Sequence, residues 1–479
     1  MTKKMEATFL AQELLADSSL APVQLAFEGG PESGWRIARN GADHVQLGPG
    51  YQCLEVERCG VCSTDLARPF LPFPLPQVVG HEIVARSPDG QRCVVEINAS
   101  HRARGLLDSE CAFCSAGLDH HCPERLVLGL HDLPGGFGRQ ILAPVHSILP
   151  ISDAIDDDVA VLLEPFAAAL HAVDSLSLKG GDRIAVLGPR RLGLLVIAAL
   201  AARRRAGQID VEIYAWSRRE ALREKALALG ADQASAPPKD SKPGQVDVVV
   251  DTTGSPDGFT HALALARREV HLKSTHGKSA GGLRHSTELV VDELSLEAWP
   301  GPSAFKTRAP HPNPPCLAWL SSASNPPEMK NAEILAQTNA REMLRRLESR
   351  RLGQIPRADW AVVDSLSQAD EAIRPIPDEE VSLVKPGGTI FIDPSPRPAT
   401  AETSVLATAL IERGLRVSTS RCGDFRSALA LLEGDFRLRA DLPTLVTHHL
   451  LADQLERAFQ IAESPEAIKV VVDQPLNRR

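Results

Sequence analysis

The sequence lacks three features, and each absence excludes a class of protein. It has no excess of basic residues, since its formal net charge is -9 at pH 7, whereas a nucleic-acid surface needs clustered Lys and Arg to neutralise phosphates. It contains no run of about 18 apolar residues that would span a bilayer. Its N-terminal segment shows no apolar secretory core and no small-residue cleavage site. We therefore expect a cytoplasmic protein that binds neither nucleic acid nor membrane.

Cysteine is also scarce, with 9 among 479 residues, which is too few for a disulfide scaffold. The grouping of cysteines at positions 59 and 62, and again at 111, 114 and 122, is typical of metal binding in a reducing compartment. The other four cysteines are interpreted as ordinary buried residues; they are Cys53, Cys93, Cys316 and Cys422.

A chain of this length is too long for one ordinary hydrophobic core, and its texture changes near residue 156. Before that point, short strand-like runs broken by Gly and Pro predict a compact, mostly β domain. After it, a helical stretch is followed by strands that alternate with helices, with strand candidates at 183–188, 211–215 and 246–251. This alternation predicts an α/β fold with a parallel, doubly wound sheet.

The most informative residues are Cys62, His81 and Glu82, which are close together in the sequence. A thiolate, an imidazole and a carboxylate can hold Zn²⁺ with one coordination position open, which is the arrangement of a catalytic zinc site. Taken singly, each residue has a simpler explanation as a buried thiol, a core histidine or a surface carboxylate. Glu164 lies between two apolar runs, where an unpaired carboxylate would be costly, and a nearby metal would explain its position.

These runs and their order resemble the zinc-dependent medium-chain dehydrogenase/reductase family, the alcohol and polyol dehydrogenases. The matching runs are 60–65, 72–82, 163–171, 186–193, 229–232, 253–255, 272–275 and 420–423. The resemblance implies a β-rich, chaperonin-10-like catalytic domain at 20–155, completed by 442–479. It also implies a Rossmann nucleotide-binding domain at 156–441 that contains an inserted segment at about 297–410, with the active site between the two domains.

The resemblance further implies a role for each residue of the catalytic site. Cys62 and His81 would bind the zinc together with either Glu82 or Glu164. Thr64 would relay the substrate proton, and a simpler role as a helix N-cap could coexist with that relay. Asp65 would orient His81. Many relatives place a histidine five residues after the ligand cysteine, but this position is Ala67 here, so the proton must leave by another route.

The implied reaction is hydride transfer between NAD(P) and a small alcohol or polyol, or its aldehyde or ketone. A bound Zn²⁺ is a Lewis acid that lowers the pKa of an alcohol or polarises a carbonyl. A catalytically inactive cofactor-binding or scaffolding paralogue and a zinc lyase are the alternatives. Relatives assemble through the nucleotide domain, so we expect a homodimer.

A second metal site is predicted at Cys111, Cys114 and Cys122, which match three of the four thiolates of the family's structural zinc loop. The first position of that loop is Asp108, and zinc accepts carboxylate oxygen. Three histidines are rival fourth ligands, namely His101, His120 and His121. The alternative is a metal-free loop with three thiols.

The predicted dinucleotide turn runs from Gly188 to Gly193 and includes Arg190 and Leu192. It keeps the first and last glycines of the G-x-G-x-x-G pattern, but Arg190 replaces the middle glycine that lets the backbone approach the pyrophosphate. An arginine there would either clamp the phosphate or obstruct it. Thr253 lies in a further matching run and is also assigned to the cofactor.

Cofactor choice depends on the end of the second strand, where an acidic residue would bind the ribose 2′-hydroxyl of NAD. The residues here are Ser217, Arg218 and Arg219. A guanidinium binds phosphate in a bidentate manner, so the sequence favours NADP(H) over NAD(H). Alternatively, both arginines are the solvated start of a helix.

The family pattern is interrupted between about 297 and 410. Residues 299–327 are rich in Pro and Ser and indicate a linker, while 331–351 carry an amphipathic helical pattern. The stretches 358–365 and 387–393 indicate a strand, a connection and a strand. They echo 246–251 and 269–274, which suggests a partial internal duplication.

Overall fold

The computed structural model describes residues 5–68, 73–106, 111–239, 243–273, 277–305, 314–329, 332–350, 354–377, 379, 381–394 and 404–475. The chain divides into two compact units, Met1–Ala167 with Gly423–Arg479, and Ala168–Cys422. The sequence placed the limits at 155/156 and 441/442. The difference at the second limit arises because residues from 423 onward pack with the first unit, where Arg426 Nη2 donates to the backbone oxygen of His146 at 2.9 Å.

The described residues form 25 β-strands. They are β1 (Met5–Leu14), β2 (Leu20–Gly30), β3 (Gly34–Arg39), β4 (Ala42–Leu47), β5 (Tyr51–Gly60), β6 (Glu82–Arg86), β7 (Arg92–Val95), β8 (Asn98–Ala99), β9 (Leu126–Leu128), β10 (Asp132–Leu133), β11 (Gln140–Pro144), β12 (Ile148–Pro150), β13 (Asp182–Leu187), β14 (Val211–Trp216), β15 (Gln233–Ser235), β16 (Val246–Asp251), β17 (Ala266–Leu272), β18 (Ser295–Ala298), β19 (Cys316–Trp319), β20 (Glu333–Ala336), β21 (Ala358–Val363), β22 (Val384–Ile392), β23 (Arg416–Thr419), β24 (Val446–Leu451) and β25 (Lys469–Asp473).

The same residues form 14 α-helices. They are α1 (Ser63–Ala67), α2 (Ala112–Ser115), α3 (Asp157–Ala160), α4 (Leu163–Asp174), α5 (Arg191–Arg205), α6 (Glu220–Ala228), α7 (Pro256–Leu265), α8 (Ser286–Val291), α9 (Ala340–Arg350), α10 (Leu366–Ile373), α11 (Val405–Arg413), α12 (Phe425–Gly434), α13 (Phe436–Asp441) and α14 (Leu455–Glu463). The helical stretch predicted after residue 156 is two helices, α3 and α4.

The first unit contains three sheets. One has the order β1-β2-β3-β4, a small one has the order β10-β9-β8, and the largest has the order β12-β7-β6-β5-β25-β24 with β11 also paired to β5. Strand β1 begins well before residue 20, because it pairs antiparallel with β2 from Met5↔Gly29 to Leu14↔Leu20. A buried core that includes Phe27, Trp35 and Tyr51 fills this unit. The prediction of a β-rich domain is confirmed.

Strand β5 positions the cysteine and histidine runs. It ends at Gly60, whose antiparallel partner in β6 is Glu82 and whose partner in β25 is Val471. Because β6 begins directly after His81 and α1 begins directly after Cys62, this register brings the two side chains to the same end of the sheet.

The second unit is built on one eleven-stranded sheet with the order β15-β14-β13-β16-β17-β23-β18-β22-β21-β19-β20. The first six strands in this order are parallel to their neighbours. The chain leaves β13 toward β14 on one side and later adds β16 on the other, so β13 marks a topological switch point. This is the predicted doubly wound sheet, and that prediction is confirmed.

The other five strands form an added half that comes from the predicted insertion. They are parallel to one another, but β18 meets β23 in the opposite direction at Leu296↔Val417. The unit β21-α10-β22 repeats the topology of β16-α7-β17, as an internal duplication requires. The predicted linker contains β19, and the predicted helix at 331–351 is β20 followed by α9.

Candidate functional site

Asp65 joins the two loops of the first predicted metal site. Its Oδ2 accepts the backbone N–H of Cys62 at 2.9 Å, and its Oδ1 accepts that of Gly80 at 3.3 Å. The same Oδ1 lies 3.3 Å from His81 Nδ1, an ion-pair distance without the alignment of a good hydrogen bond. Asp65 is fully buried, so it fixes the cysteine loop relative to the imidazole.

Thr64 lies beside the cysteine sulfur. The Cys62 thiol donates to Thr64 Oγ1 at 3.7 Å. Thr64 is not the N-cap of α1, because Cys62 holds that position and Thr64 is inside the helix. The prediction that Thr64 is a helix N-cap is therefore wrong. The Thr64 hydroxyl lies next to the Cys62 sulfur.

The charged groups around His81 determine the direction of its pKa shift. Burial alone would lower the pKa of His81, but the charges of Asp65 and Cys62 outweigh it, so the pKa is raised well above its usual value. The surroundings of His81 therefore favour a positive charge, either on the protonated ring or on a divalent cation bound there.

The structure gives Glu82 a different partner. Both of its carboxylate oxygens accept from the Lys469 ammonium, at 2.6 and 2.5 Å, and the same ammonium donates to the backbone oxygen of Val61 at 3.3 Å. Glu82 and Lys469 are both buried. This corrects the assignment of Glu82 as a zinc ligand, because its carboxylate is already used in an ion pair.

Lys469 was missed by sequence reasoning. It lies on β25, almost 390 residues after Glu82 in the chain, and only the pairing of β25 with β5 brings it to the site. The one sequence signal is a lysine at the start of a strongly apolar strand. Glu164, the other predicted carboxylate ligand, lies in the first turn of α4 and is partly buried.

The second predicted metal site is compact. His101, Cys111, Cys114 and Cys122 each offer one ligand atom, and these atoms all lie within 4.8 Å of one another. Within the described ranges no other set of three or more His, Cys, Asp or Glu residues meets this condition. Cys62 and His81 thus do not form such a set with Glu82 or Glu164.

His101 is the histidine that the structure brings to the three thiols. Its Nδ1 lies 3.3 Å from Cys122 Sγ and 3.9 Å from Cys114 Sγ, while its Nε2 lies 3.2 Å from Glu124 Oε2. A carboxylate on the far nitrogen fixes the tautomer that presents Nδ1 to a metal. Asp108, the family-based fourth ligand, lies outside the described residues.

The other two rival histidines do not join the set. His120 Nδ1 contacts the Asn98 amide at 3.1 Å and the Glu96 carboxylate at 3.4 Å. His121 is buried but is not among the four convergent ligands.

Burial strongly affects the thiols of this cluster. It raises the pKa of Cys122 to about 12 and also raises the pKa of Cys114. Thiols with such values are protonated at neutral pH, so metal binding must release their protons. Affinity for a metal should therefore fall as the pH is lowered.

The dinucleotide turn keeps its two glycines for steric reasons. Gly188 has φ +75°, and a Cβ there would meet Thr253 Cγ2 at 2.7 Å. A Cβ on Gly193 would meet Thr252 Oγ1 at 2.4 Å. The residues after β16 therefore pack so closely against the turn between β13 and α5 that only glycine fits at both positions. Arg190 is the N-cap of α5 and Leu192 lies in its first turn.

Asp251 is a buried carboxyl at this turn that sequence reasoning did not assign. It ends β16 opposite Leu187, and its Oδ1 accepts the backbone N–H of Thr253 at 2.9 Å. Its Oδ2 is buried without a hydrogen-bond partner. Burial raises the pKa of Asp251 to about 6.

The end of β14 carries a third arginine. Ser217 Oγ accepts the backbone N–H of Arg219 at 3.3 Å, and Arg218 and Arg219 are exposed at the start of α6. Arg223 Nη1 donates to the backbone oxygens of Ser217 and Arg218, at 3.0 and 3.2 Å. Its position one helical turn after Arg219 is the signal that could have identified it.

None of the described helices combines the length and apolarity that crossing a membrane demands.

Comparison with known proteins gives one family match, which lies within the first unit. Residues 48–153 match the alcohol dehydrogenase GroES-like domain. The chain is 31% identical over 161 residues to an L-threonine 3-dehydrogenase of Chelativorans sp. (strain BNC1), which covers 31% of this chain and 46% of that protein. It is 28% identical over 228 residues to L-galactonate-5-dehydrogenase of Escherichia coli (strain K12), which covers 45% of this chain and 65% of the relative.

A structural relative covers the whole molecule. A candidate zinc-binding dehydrogenase from Sinorhizobium meliloti 1021, bound to NADP, superposes with a TM-score of 0.54 and 17% identity over 98% of this chain and 99% of the other. This likeness establishes the fold. In sequence, the chain spans about half the length of the L-threonine 3-dehydrogenase it matches.

Proposed function

We propose that the chain is a zinc-dependent medium-chain dehydrogenase/reductase that transfers a hydride between NADP(H) and a small alcohol or polyol, or the matching carbonyl compound. The observation that carries this proposal is the Asp65-centred arrangement of Cys62 and His81. The dehydrogenases named above act on L-threonine and L-galactonate, which carry both a hydroxyl and a carboxylate, so hydroxy acids belong in the substrate class.

We propose Cys62, His81 and Glu164 as the protein ligands of the catalytic zinc. Glu164 is preferred over Glu82 because Lys469 holds both oxygens of Glu82. A bound Zn²⁺ would supply a Lewis acid that lowers the pKa of a substrate hydroxyl. Asp65 orients the imidazole from its Nδ1 side, and the Thr64 hydroxyl, next to the sulfur, holds the substrate proton.

The choice between the two glutamates can be tested by metal content. Glu164→Gln should lose one zinc per chain, whereas Glu82→Gln should keep it. Loss of zinc in Glu82→Gln alone would assign Glu82 as the ligand. The two variants are matched because both replace a carboxylate by an amide of the same shape.

We propose a second, structural zinc on His101, Cys111, Cys114 and Cys122. Three thiolates and one imidazole form a common closed zinc site. The contact between His101 Nε2 and Glu124 supports it, because ligating histidines donate their second N–H to such a group.

The cofactor proposed is NADP(H). Ser217 replaces the acid that would bind a 2′-hydroxyl, and three arginines surround the end of β14: Arg218, Arg219 and Arg223. The turn from Gly188 to Gly193 would receive the pyrophosphate at the start of α5. Thr253 packs against Gly188 and lines the same edge of the sheet.

The deciding experiment is a panel of alcohols, polyols, hydroxy acids and their carbonyl products, assayed with NADP(H) and NAD(H) in parallel by absorbance of the reduced ring. Activity should be higher with NADP(H) and should disappear in Cys62→Ser. An Arg218→Ala/Arg223→Ala double variant should lose the preference for NADP(H). Activity with neither cofactor would favour the inactive paralogue.

A cytoplasmic location and a homodimer complete the proposal. The first is supported by nine free cysteines, as expected in a reducing compartment. Sedimentation analysis of the purified chain would test the second.

A further inference from the structure

A stripe of polar side chains crosses the nucleotide-binding sheet. Strands β17 and β23 are neighbours in register, with Glu269↔Arg416 and His271↔Ser418 as partners. Because side chains alternate along a strand, every second residue of each strand faces the same side. Both faces of a central parallel strand are normally apolar, yet four residues of this face are polar and almost completely buried: Glu269, His271, Ser418 and Ser420.

The stripe is a continuous chain of hydrogen bonds. The Lys273 ammonium donates to Ser420 Oγ at 3.0 Å, and Ser420 Oγ lies 2.9 Å from His271 Nε2. His271 Nδ1 lies 2.8 Å from Ser418 Oγ, and that hydroxyl donates to Glu269 Oε1 at 2.5 Å. The chain therefore joins a buried cation to a buried carboxylate through neutral groups.

The cation is fixed at one end of the sheet. Besides Ser420 Oγ, the Lys273 ammonium donates to the backbone oxygens of Ser420 at 3.0 Å and Arg421 at 2.6 Å. These residues follow Thr419, the last residue of β23. The positive charge thus lies beyond the carboxyl end of the strands, and Glu269 lies toward their amino end.

This end of the sheet is the one that carries the dinucleotide turn. Gly188 follows β13 just as Lys273 follows β17, and Lys273 N donates to the backbone oxygen of Asp251 at 3.1 Å. Two strand spacings, about 10 Å, separate β13 from β17. In a doubly wound sheet the dinucleotide crosses the switch point, and its second nucleotide lies over the half that contains β16, β17 and β23.

We propose that Lys273 selects the redox state of the bound cofactor, holding NADPH in preference to NADP⁺. The oxidised nicotinamide ring carries a positive charge, whereas the reduced ring is neutral. A fixed buried cation near the ring repels only the oxidised form, and at low effective dielectric this repulsion corresponds to about tenfold in relative affinity. The inference rests on the proposed NADP(H)-dependent function.

Other charged groups at this end are held separately. Asp251 accepts from Thr253 N–H, and Glu293 Oε1 accepts from Arg421 N–H at 2.7 Å and lies 2.9 Å from His171 Nε2. Replacing Lys273 alone removes none of these hydrogen bonds of the two carboxylates. A comparison of Lys273 variants therefore isolates the effect of the lysine charge.

The test measures binding and needs no turnover. NADPH affinity would be determined by fluorescence titration, and NADP⁺ affinity by displacement of NADPH, in the wild type, Lys273→Gln, Lys273→Met and Lys273→Arg. The ratio of NADP⁺ to NADPH dissociation constants should fall about tenfold in the two neutral variants and stay near the wild-type value in Lys273→Arg. Glu269→Gln, at the far end of the stripe, is the matched control and should leave the ratio nearly unchanged.

Each outcome decides the question. If the neutral variants bind both redox forms more weakly by the same factor, Lys273 only ties β17 to residues 420 and 421, and the inference fails while the proposed function stands. A changed ratio in Lys273→Arg as large as in Lys273→Gln would also overturn it. If the wild type binds neither form, the proposed function and the inference fail together.

Discussion

The two proposed metal sites in the first unit differ in how far the protein alone assembles them. At the closed site, His101 and three cysteines converge. At the open site, Cys62 and His81 are held by Asp65, but the carboxylates do not complete a set of equal compactness. Structural zinc sites are closed by four protein ligands, whereas catalytic sites keep a position open. The greater convergence at the closed site is what the proposed division into a structural and a catalytic zinc site requires.

The largest expected effect is at the closed site. Cys122→Ser should lose one zinc per chain and, because binding free energy at such a site is folding free energy on the order of 10 kcal/mol, should unfold the surrounding loop. Metal content and the unfolding temperature would measure this. Cys93→Ser, another buried thiol in the same unit, is the control and should keep both metals. An unchanged metal content in Cys122→Ser would remove the distinction between the sites.

At the open site the effect should fall on activity instead. Cys62→Ser removes a ligand of the Lewis acid, whose contribution of several kcal/mol corresponds to a loss of about 10³-fold or more in kcat/KM. The unfolding temperature should change little, since the closed site remains. Steady-state kinetics beside calorimetry would check both parts, and a stability loss as large as in Cys122→Ser would contradict the comparison.

The ion pair behind the open site should matter for stability. Lys469→Met leaves the fully buried Glu82 charge without its partner, which should lower the free energy of unfolding by about 3–5 kcal/mol. The double variant Lys469→Met/Glu82→Gln should recover most of that loss, because no uncompensated charge remains. Urea denaturation of the three proteins would measure the difference, and additive losses would argue against a direct pair.

A smaller effect is expected from the group that orients the imidazole. Asp65→Asn keeps the shape of the side chain but removes its charge, and changes of this kind typically cost about 10–100-fold in metal affinity or activity. Competition with a chelator of known affinity would measure it at the open site. The closed site offers the matched change Glu124→Gln behind His101. An equal loss of zinc affinity in Asp65→Asn and Glu124→Gln would contradict the proposed difference between the two sites.

The smallest effect separates two candidates for the fourth ligand of the closed site. Asp108→Asn should leave zinc content and the unfolding temperature unchanged, whereas His101→Asn should lose the metal. The spectrum of the cobalt-substituted protein would report the donor set directly. Zinc loss in Asp108→Asn with retention in His101→Asn would reverse the assignment.

Much of the fold could be predicted because its signals are local. The strands at 183–188, 211–215 and 246–251 are apolar runs bounded by turns, and the structure has β13, β14 and β16 there. Strand β1 was missed because its Met, Glu, Ala and Leu residues favour helix, and only its partner β2 holds it extended. The helix predicted at 331–351 includes the residues of β20, because a local pattern cannot show that they pair with β19. The side chain of Asn339, which accepts the backbone N–H of Glu342 at 3.1 Å, marks the true start of α9.

The sequence predicts candidate ligands for the site but not the residues that hold them in place. Cys62, His81 and the three loop cysteines stand in recognisable spacings. Lys469 could not be assigned, because its contact with Glu82 depends on strand pairing across most of the chain. The convergence of His101 with the three loop cysteines likewise depends on how the loop folds back, which spacing alone does not encode.

The reversal of direction between β23 and β18 has a consequence for solubility. Strand β23 would otherwise present unpaired backbone groups at the margin of the nucleotide-binding half, and the added half covers it. The margins that remain in the long sheet are β15 and β20, of only three and four residues. Short terminal strands are poor templates for pairing with another chain, so the added half also protects the sheet against aggregation.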